Sequence, residues 1–190
     1  MKLIFASDIH GSNFYCNKLK DIVLQENPDK LILLGDLLYH GPRNPLPQDY
    51  NPELVFNSLN SIKEKILAVR GNCDSEVDQM VLEFPMMADY ALLSVDGLTL
   101  FLTHGHLYNT SQLPFLEDDT HILIHGHTHV NIIQKLEKGY YINCGSLSMP
   151  KENQENTYML YENKKFMIKN LDNITLKEID FSNIINNNIN

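Results

Sequence analysis

A chain of 190 residues, 43% apolar and 21% charged, has the make-up of one globular domain with a sizeable core, and this excludes disordered and fibrous architectures. Its formal charge of -9 at pH 7 argues against a broad basic surface, so no nucleic-acid partner is expected. The opening run Met1–Ala6 is too short for a signal-peptide core and no later run approaches a membrane span. The three scattered cysteines, Cys16, Cys73 and Cys144, outline no disulfide framework, so the expectation is a soluble, cytoplasmic protein.

In chain order, residues 2–7 read as a buried strand opening onto a loop. Ser12 then caps a helix to about Glu26, where Leu19, Ile22 and Val23 recur at helical spacing before Pro28 stops it. Leu31–Leu34 is a second buried strand closing at Gly35-Asp36. Tyr39 to Pro52, rich in Pro, Asn and Gly, is the one long loop, and such loops in compact domains are often functional. A helix to about Glu64, a strand from Ile66 to Val69 and a short helix near Ser75–Leu82 follow. Strand patterns then occur at 90–95, 98–103, 121–124, 140–142, 157–162 and 165–171, several joined by tight turns such as Asp96-Gly97. The pattern predicts an α/β, four-layer domain over 1–180, with two packed mixed sheets flanked by helices. Residues 181–190, dominated by Asn and Ile, read as a weakly ordered tail.

The chemistry is carried by what stands at the strand ends. Asp8 and His10 follow the first strand, Asp36 the second and Asn72 the third. His104 follows the strand ending at Thr103, and His127 and His129 follow Leu123-Ile124. Glycine accompanies each group: Gly11, Gly35, Gly71, Gly105 and Gly126. Carboxyl ends of strands are where sites are built in open α/β sheets, and glycine lets backbone approach a ligand closely. Each fragment alone has an ordinary explanation. Gly-Asp commonly ends a strand, Asn72 suits an Asx turn, and His104 and His106 could be surface histidines. The order of five fragments at five separate strand ends is what points to a site. Two aspartates, one asparagine and several histidines form a mixed oxygen and nitrogen set suited to Mn, Fe, Zn or similar divalent ions. Their number suits two ions, which one carboxylate can bridge at about 3.5–4 Å.

The ordered fragments Asp8-Ile9-His10-Gly11, Gly35-Asp36, Gly71-Asn72-Cys73-Asp74, Thr103-His104-Gly105-His106 and Gly126-His127-Thr128-His129 resemble the calcineurin-like metallophosphoesterases, over residues 1 to about 162. Size, together with Gly41-Pro42-Arg43-Asn44-Pro45, looks most similar to the small bacterial YfcE-type phosphodiesterases. The resemblance implies a metallophosphoesterase sandwich of two mixed sheets. It implies that Asp8, His10 and His129 hold one metal, that Asn72, His104 and His127 hold the second, and that Asp36 bridges them. Manganese is the favoured ion, with Fe, Zn and Ni open. The implied reaction is hydrolysis of a small phosphodiester by a hydroxide bridging the two ions, attacking in line with the departing alcohol. The catalytic candidates are Asn72, Cys73 and His106, the last beside the cluster with no bond assigned to either ion.

Departures from the pattern carry their own expectations. Many members have histidine where this chain has Cys73, and a thiol is a poor replacement for an imidazolium donor. Cys73 is therefore expected to narrow the range toward esters with good leaving groups, or to leave the proton to another donor. Leu37-Leu38-Tyr39-His40 replaces an Asp-Arg pair, which makes His40 and Arg43 the candidate substrate contacts, since a guanidinium grips two phosphate oxygens. Asn143-Cys144-Gly145-Ser146 is expected to lie against the site with Cys144 structural, and His121 and His125 to be packing or hydrogen-bonded residues. Leu46 and Tyr50 could serve a homo-oligomer contact. The rival readings are a non-catalytic scaffold of the same fold, a nuclease, and a phosphomonoesterase or protein phosphatase. Seven competent ligand positions argue against the scaffold, and the acidic balance offers a nucleic-acid strand no path.

Overall fold

The computed structural model describes residues 1–187. It begins with β1 (Lys2–Ala6), α1 (Asn13–Glu26), β2 (Lys30–Leu33), α2 (Pro52–Asn60), β3 (Ile66–Ala68) and α3 (Glu76–Gln79). Eight strands follow: β4 (Tyr90–Val95), β5 (Leu98–Thr103), β6 (His121–His125), β7 (Ile132–Lys135), β8 (Tyr140–Asn143), β9 (Thr157–Glu162), β10 (Lys165–Asn170) and β11 (Thr175–Asp180). The last element is α4 (Ser182–Asn187). One sheet has the order β11-β10-β9-β1-β2-β3 and the other β4-β5-β6-β8-β7. Both are mixed. β1, β2 and β3 run parallel in the first sheet and β5, β6 and β8 in the second, with antiparallel neighbours outside them.

Strand periodicity explains the layering. In β1 the alternate residues Leu3 and Phe5 join a core between the sheets, with Leu100, Ile122, Ile124, Ile142 and Tyr161. The intervening Ile4 and Ala6 join a second core, where Leu19, Val23, Val55 and Leu59 of α1 and α2 cover the outer face of the first sheet. A strand buried on both faces reads as an unbroken apolar run, which is how β1 and β2 look in the sequence. Helix α1 starts where Ser12 accepts from the Tyr15 amide. It ends at Asn27, whose left-handed backbone (φ +45°) turns the chain before Pro28.

The sequence reading and the structure differ in three places. β7 and β11 were not expected; each is an edge strand, and five of the six residues of β11 are exposed, so neither carries an apolar alternation. The second helix stops at Asn60 and is followed by a separate 3₁₀ turn, Lys63–Lys65, so the helix expected to reach Glu64 is shorter. The segment read as a tail begins with Phe181 fully buried against Phe166 and continues as α4, because one aromatic ring outweighs a polar composition; residues 188–190 lie outside the described residues. Among the described residues no helix is long and apolar enough to cross a membrane.

Phe166 packs between the sheets, its ring 4.6 Å from that of Tyr161, 5.7 Å from Phe181 and 6.1 Å from Phe5. Phe166→Ala should cost about 3–5 kcal/mol of stability, read as a lower midpoint in denaturant unfolding with little change in slope.

Candidate metal centre

The parallel strands of both sheets direct their carboxyl ends to one rim, and the loops leaving them are held under strain. Asp8, His10, Asp36, His127 and His129, five of the seven candidate ligands, have φ of 58°, 50°, 56°, 65° and 62°. A left-handed backbone costs a residue with a Cβ about 1–2 kcal/mol, so the surrounding structure must enforce it. The bonds that do so are visible. Asp8 and His10 donate their amides to the carbonyls of Gly35 and Asp36, while the hydroxyls of Ser146 and Ser148 both donate to the Asp8 carbonyl. Two glycines permit the closest approaches. A Cβ on Gly71 would lie 2.1 Å from Asp36 Oδ1, and one on Gly126 would lie 1.9 Å from Ser7 Oγ.

Three imidazoles are oriented from behind by main-chain carbonyls. Nδ1 of His10 donates to Tyr39 O (2.8 Å), Nδ1 of His129 to Met149 O (2.6 Å) and Nδ1 of His104 to Leu34 O (2.7 Å). A neutral ring that donates through Nδ1 keeps a lone pair on Nε2, and all three Nε2 atoms face inward. Nε2 of His10 and Nε2 of His129 stand 3.3 Å apart, and Nε2 of His104 is 3.1 Å from Asn72 Oδ1 and 3.2 Å from His127 Nδ1. With the rings neutral, the Nε2 atoms of His10 and His129 are acceptors facing each other.

The carboxylates complete the set. Asp8 Oδ1 is buried with no hydrogen-bond partner among the described residues, 3.3 Å from His129 Nε2 and 3.6 Å from His10 Nε2. Asp36 Oδ1 accepts the Cys73 amide, while Oδ2 lies between the two groups, 3.7 Å from His10 Nε2 and 3.4 Å from His104 Nε2. Burial works to raise both acids, yet the imidazoles hold Asp8 well below the usual carboxylate range and Asp36 below it as well. Burial also opposes protonation of His104, but Asp36 and Asp8 raise it to about 9. An orphaned buried carboxylate oxygen, converging imidazole lone pairs and a shared carboxylate form a donor set that fits divalent cations. Three groupings bring ligand atoms within 4.8 Å of one another: Asp8, His10 and His129; Asp8, Asp36 and His104; and His10, Asp36 and Cys73.

These donors line a cleft of about 350 Å³. His10, Asp36, Asn72, Cys73, His127 and His129 line it, together with the cations Arg43 and Lys151. Burial first, then Asp36, pushes the Cys73 thiol up to about 12. His40 is not among the lining residues; its ring packs edge-on to Tyr39 and Tyr50. His106 stands behind the cluster, its ring 5.5 Å from His104 and 6.3 Å from His127, with Nδ1 buried and unpartnered among the described residues. His125 is buried against Tyr141, burial pushing it down to about 4, and Cys144 is buried. Leu46 is exposed, whereas Tyr50 lies over Gly11, where an added Cβ would meet its ring at 2.5 Å.

Two functional elements, Asp74 and Lys151, escaped sequence reasoning. Asp74 accepts the amides of Asp36, Leu37 and Gly71, tying the loop after β2 to the loop after β3. Burial and the Asp36 charge push it up to about 6 against the pull of those donors. Its only sequence signal is its place two residues after Asn72. The turn expected against the site, by contrast, is there: Asn143 Nδ2 donates to Gly126 O and Thr128 Oγ1, fixing the loop of His127 and His129. Lys151 reaches the cleft because its amide donates to His129 O, and nothing in the sequence announces that.

Residues 1–165 match the model of the calcineurin-like phosphoesterase superfamily domain. The chain belongs to that superfamily. It is a phosphoesterase, 44% identical over 163 residues to phosphodiesterase YfcE of Escherichia coli, with 86% of this chain and 88% of that one covered. The solved structure of YfcE superposes with a TM-score of 0.92 at 40% identity, over 94% of this chain and 98% of that one. Phosphodiesterase MJ0936 of Methanocaldococcus jannaschii is 24% identical over 151 residues, 76% of this chain and 83% of that one. Vps29 of Entamoeba histolytica, solved in complex with zinc, shares the fold at 17% identity and a TM-score of 0.60, covering 96% of this chain and 100% of that one.

Ligand linkage supplies about 2.7 kcal/mol when the free ion stands at a hundredfold of its Kd. At about 2–4 °C per kcal/mol for a chain of this size, chelation of divalent ions should lower Tm by about 5–10 °C and added Mn²⁺ should restore it. A Tm indifferent to chelator and metal would remove the case for a cation in this cluster.

Proposed function

We propose that the chain is a metal-dependent phosphodiesterase acting on a small phosphodiester in the cleft that Arg43 and Lys151 help to line. The observation that carries this is the convergence of inward-facing imidazole nitrogens on two buried carboxylates that lack a lysine or arginine partner among the described residues. Kinship with phosphodiesterase YfcE supports the ester type. Asp8, His10 and His129 would hold one ion, Asn72, His104 and His127 the other, and Asp36 would serve both. Divalent ions so held, Mn²⁺ being the favoured pair, supply Lewis acidity and lower the pKa of coordinated water toward neutrality.

The chain's own residues do the rest. Backbone-anchored histidines fix the direction of each ligand, so little reorganisation accompanies the reaction. Arg43 and Lys151 add positive charge where the phosphate oxygens enter, which an acidic protein needs locally. The Cys73 thiol borders the cleft, and His106 stands beside His104 and His127. The three cysteines are all free, consistent with a reducing cytoplasm.

The test pairs metal analysis with turnover of a chromogenic aryl phosphodiester, with and without Mn²⁺. Two ions per chain and metal-dependent turnover are expected. Asp36→Asn should lose at least one ion and about a thousandfold in kcat/KM. Full turnover with two ions retained in that variant would overturn the shared role of Asp36, and no turnover under Mn²⁺, Zn²⁺, Fe²⁺ or Ni²⁺ would overturn the reading itself. Cys73→His should raise turnover of esters with poor alkyl leaving groups relative to aryl esters, and an unchanged ratio would show that Cys73 only fills space.

A further inference from the structure

A second depression of about 480 Å³, within the size range of small-molecule subsites, adjoins the cleft at Cys73. Cys73 is the one residue that lines both, so the two spaces share a wall beside the candidate ligands Asp36 and Asn72. Their chemistry is opposite. The first is faced by imidazoles, carboxamides and the cations Arg43 and Lys151. The second is walled by Leu38, Tyr39, Tyr50, Phe56, Val77 and Val81. Its one charged lining residue, Asp78, turns its carboxylate to the amide and hydroxyl of Ser75.

The apolar walls are open to water: Val77 is 69% exposed, Tyr39 41% and Val81 37%. Apolar surface held in water beside a reaction site is stabilised when a ligand covers it. A phosphodiester has a charged centre and two uncharged arms. The centre belongs with the cations, and an arm leaving it past Cys73 enters a space walled mainly by apolar side chains, its one carboxylate held by Ser75. Building on the phosphodiesterase reading, we propose that this depression is the subsite for an apolar or aromatic arm of the diester, and that it makes the enzyme selective for esters of bulky apolar alcohols.

The test compares methyl phenyl phosphate with methyl 4-butylphenyl phosphate, whose leaving phenols differ little in acidity, so that intrinsic reactivity is matched. With Mn²⁺ present, the wild-type protein should prefer the butylphenyl ester about tenfold in kcat/KM, part of the butyl group being covered. Val77→Asp and Val81→Asp each place a charge on the wall without touching the candidate ligands. Each should reduce the preference to less than about threefold while leaving methyl phenyl phosphate turnover within about twofold. Equal kcat/KM for the two esters in the wild type, or a preference that persists undiminished in both variants, would overturn the subsite. Failure to hydrolyse either ester would instead remove the phosphodiesterase reading, and the subsite with it.

Discussion

Asp8 and Asp36 sit nearly inaccessible at the meeting point of two sheets, and among the described residues neither is paired with lysine or arginine. Burying two carboxylates together is expensive in free energy unless positive charge is supplied. Imidazoles supply it here only by protonating at Nε2, which would set the inward N–H groups of neighbouring rings against one another, as at His10 and His129 only 3.3 Å apart. A divalent ion resolves that conflict more completely than protons can. The left-handed backbone at five ligand positions, the staple made by Asp74 and the serine hydroxyls on the Asp8 carbonyl all serve to hold the charges where they would otherwise repel.

Much of this was legible in the sequence, because the donors belong to strand ends and strand ends are marked. Each parallel strand that reaches the rim is an apolar run broken by a short polar residue and a glycine, a contrast plain in Ile32–Leu34 before Gly35-Asp36. The cap at Ser12 and the stop at Pro28 were equally local. What was lost depends on distance in the chain. β7 and β11 exist because a neighbour offers hydrogen bonds, so their own composition says little. Phe181 looked like part of a tail because its partners, Phe166 and Tyr140, are contacts made only in the fold. Lys151 is an ordinary loop residue until the chain brings it against His129.

The cleft and the adjoining depression also differ in how far residue type alone could reveal them. A metal site demands particular atoms at particular positions, and few residues can provide them. An apolar wall accepts any of several side chains, so Phe56, Val77 and Val81 carry no pattern of their own. Specificity is therefore written in the surfaces assembled from α2, α3 and the long loop, while the chemistry is written in the strand ends.

The ligand set also has an order in time. His10 and His129 are 119 residues apart, and the Ser148 hydroxyl that steadies Asp8 comes 140 residues after it. At about 5–20 residues per second, roughly 6–24 s of synthesis separate the first histidine from the last. A nascent chain exposing only Asp8, His10 and Asp36 holds three of the seven candidate ligands, with neither the second sheet nor the serine hydroxyls that steady Asp8. Metal capture thus becomes a late event in the life of the polypeptide, available only to a chain whose two sheets have already met.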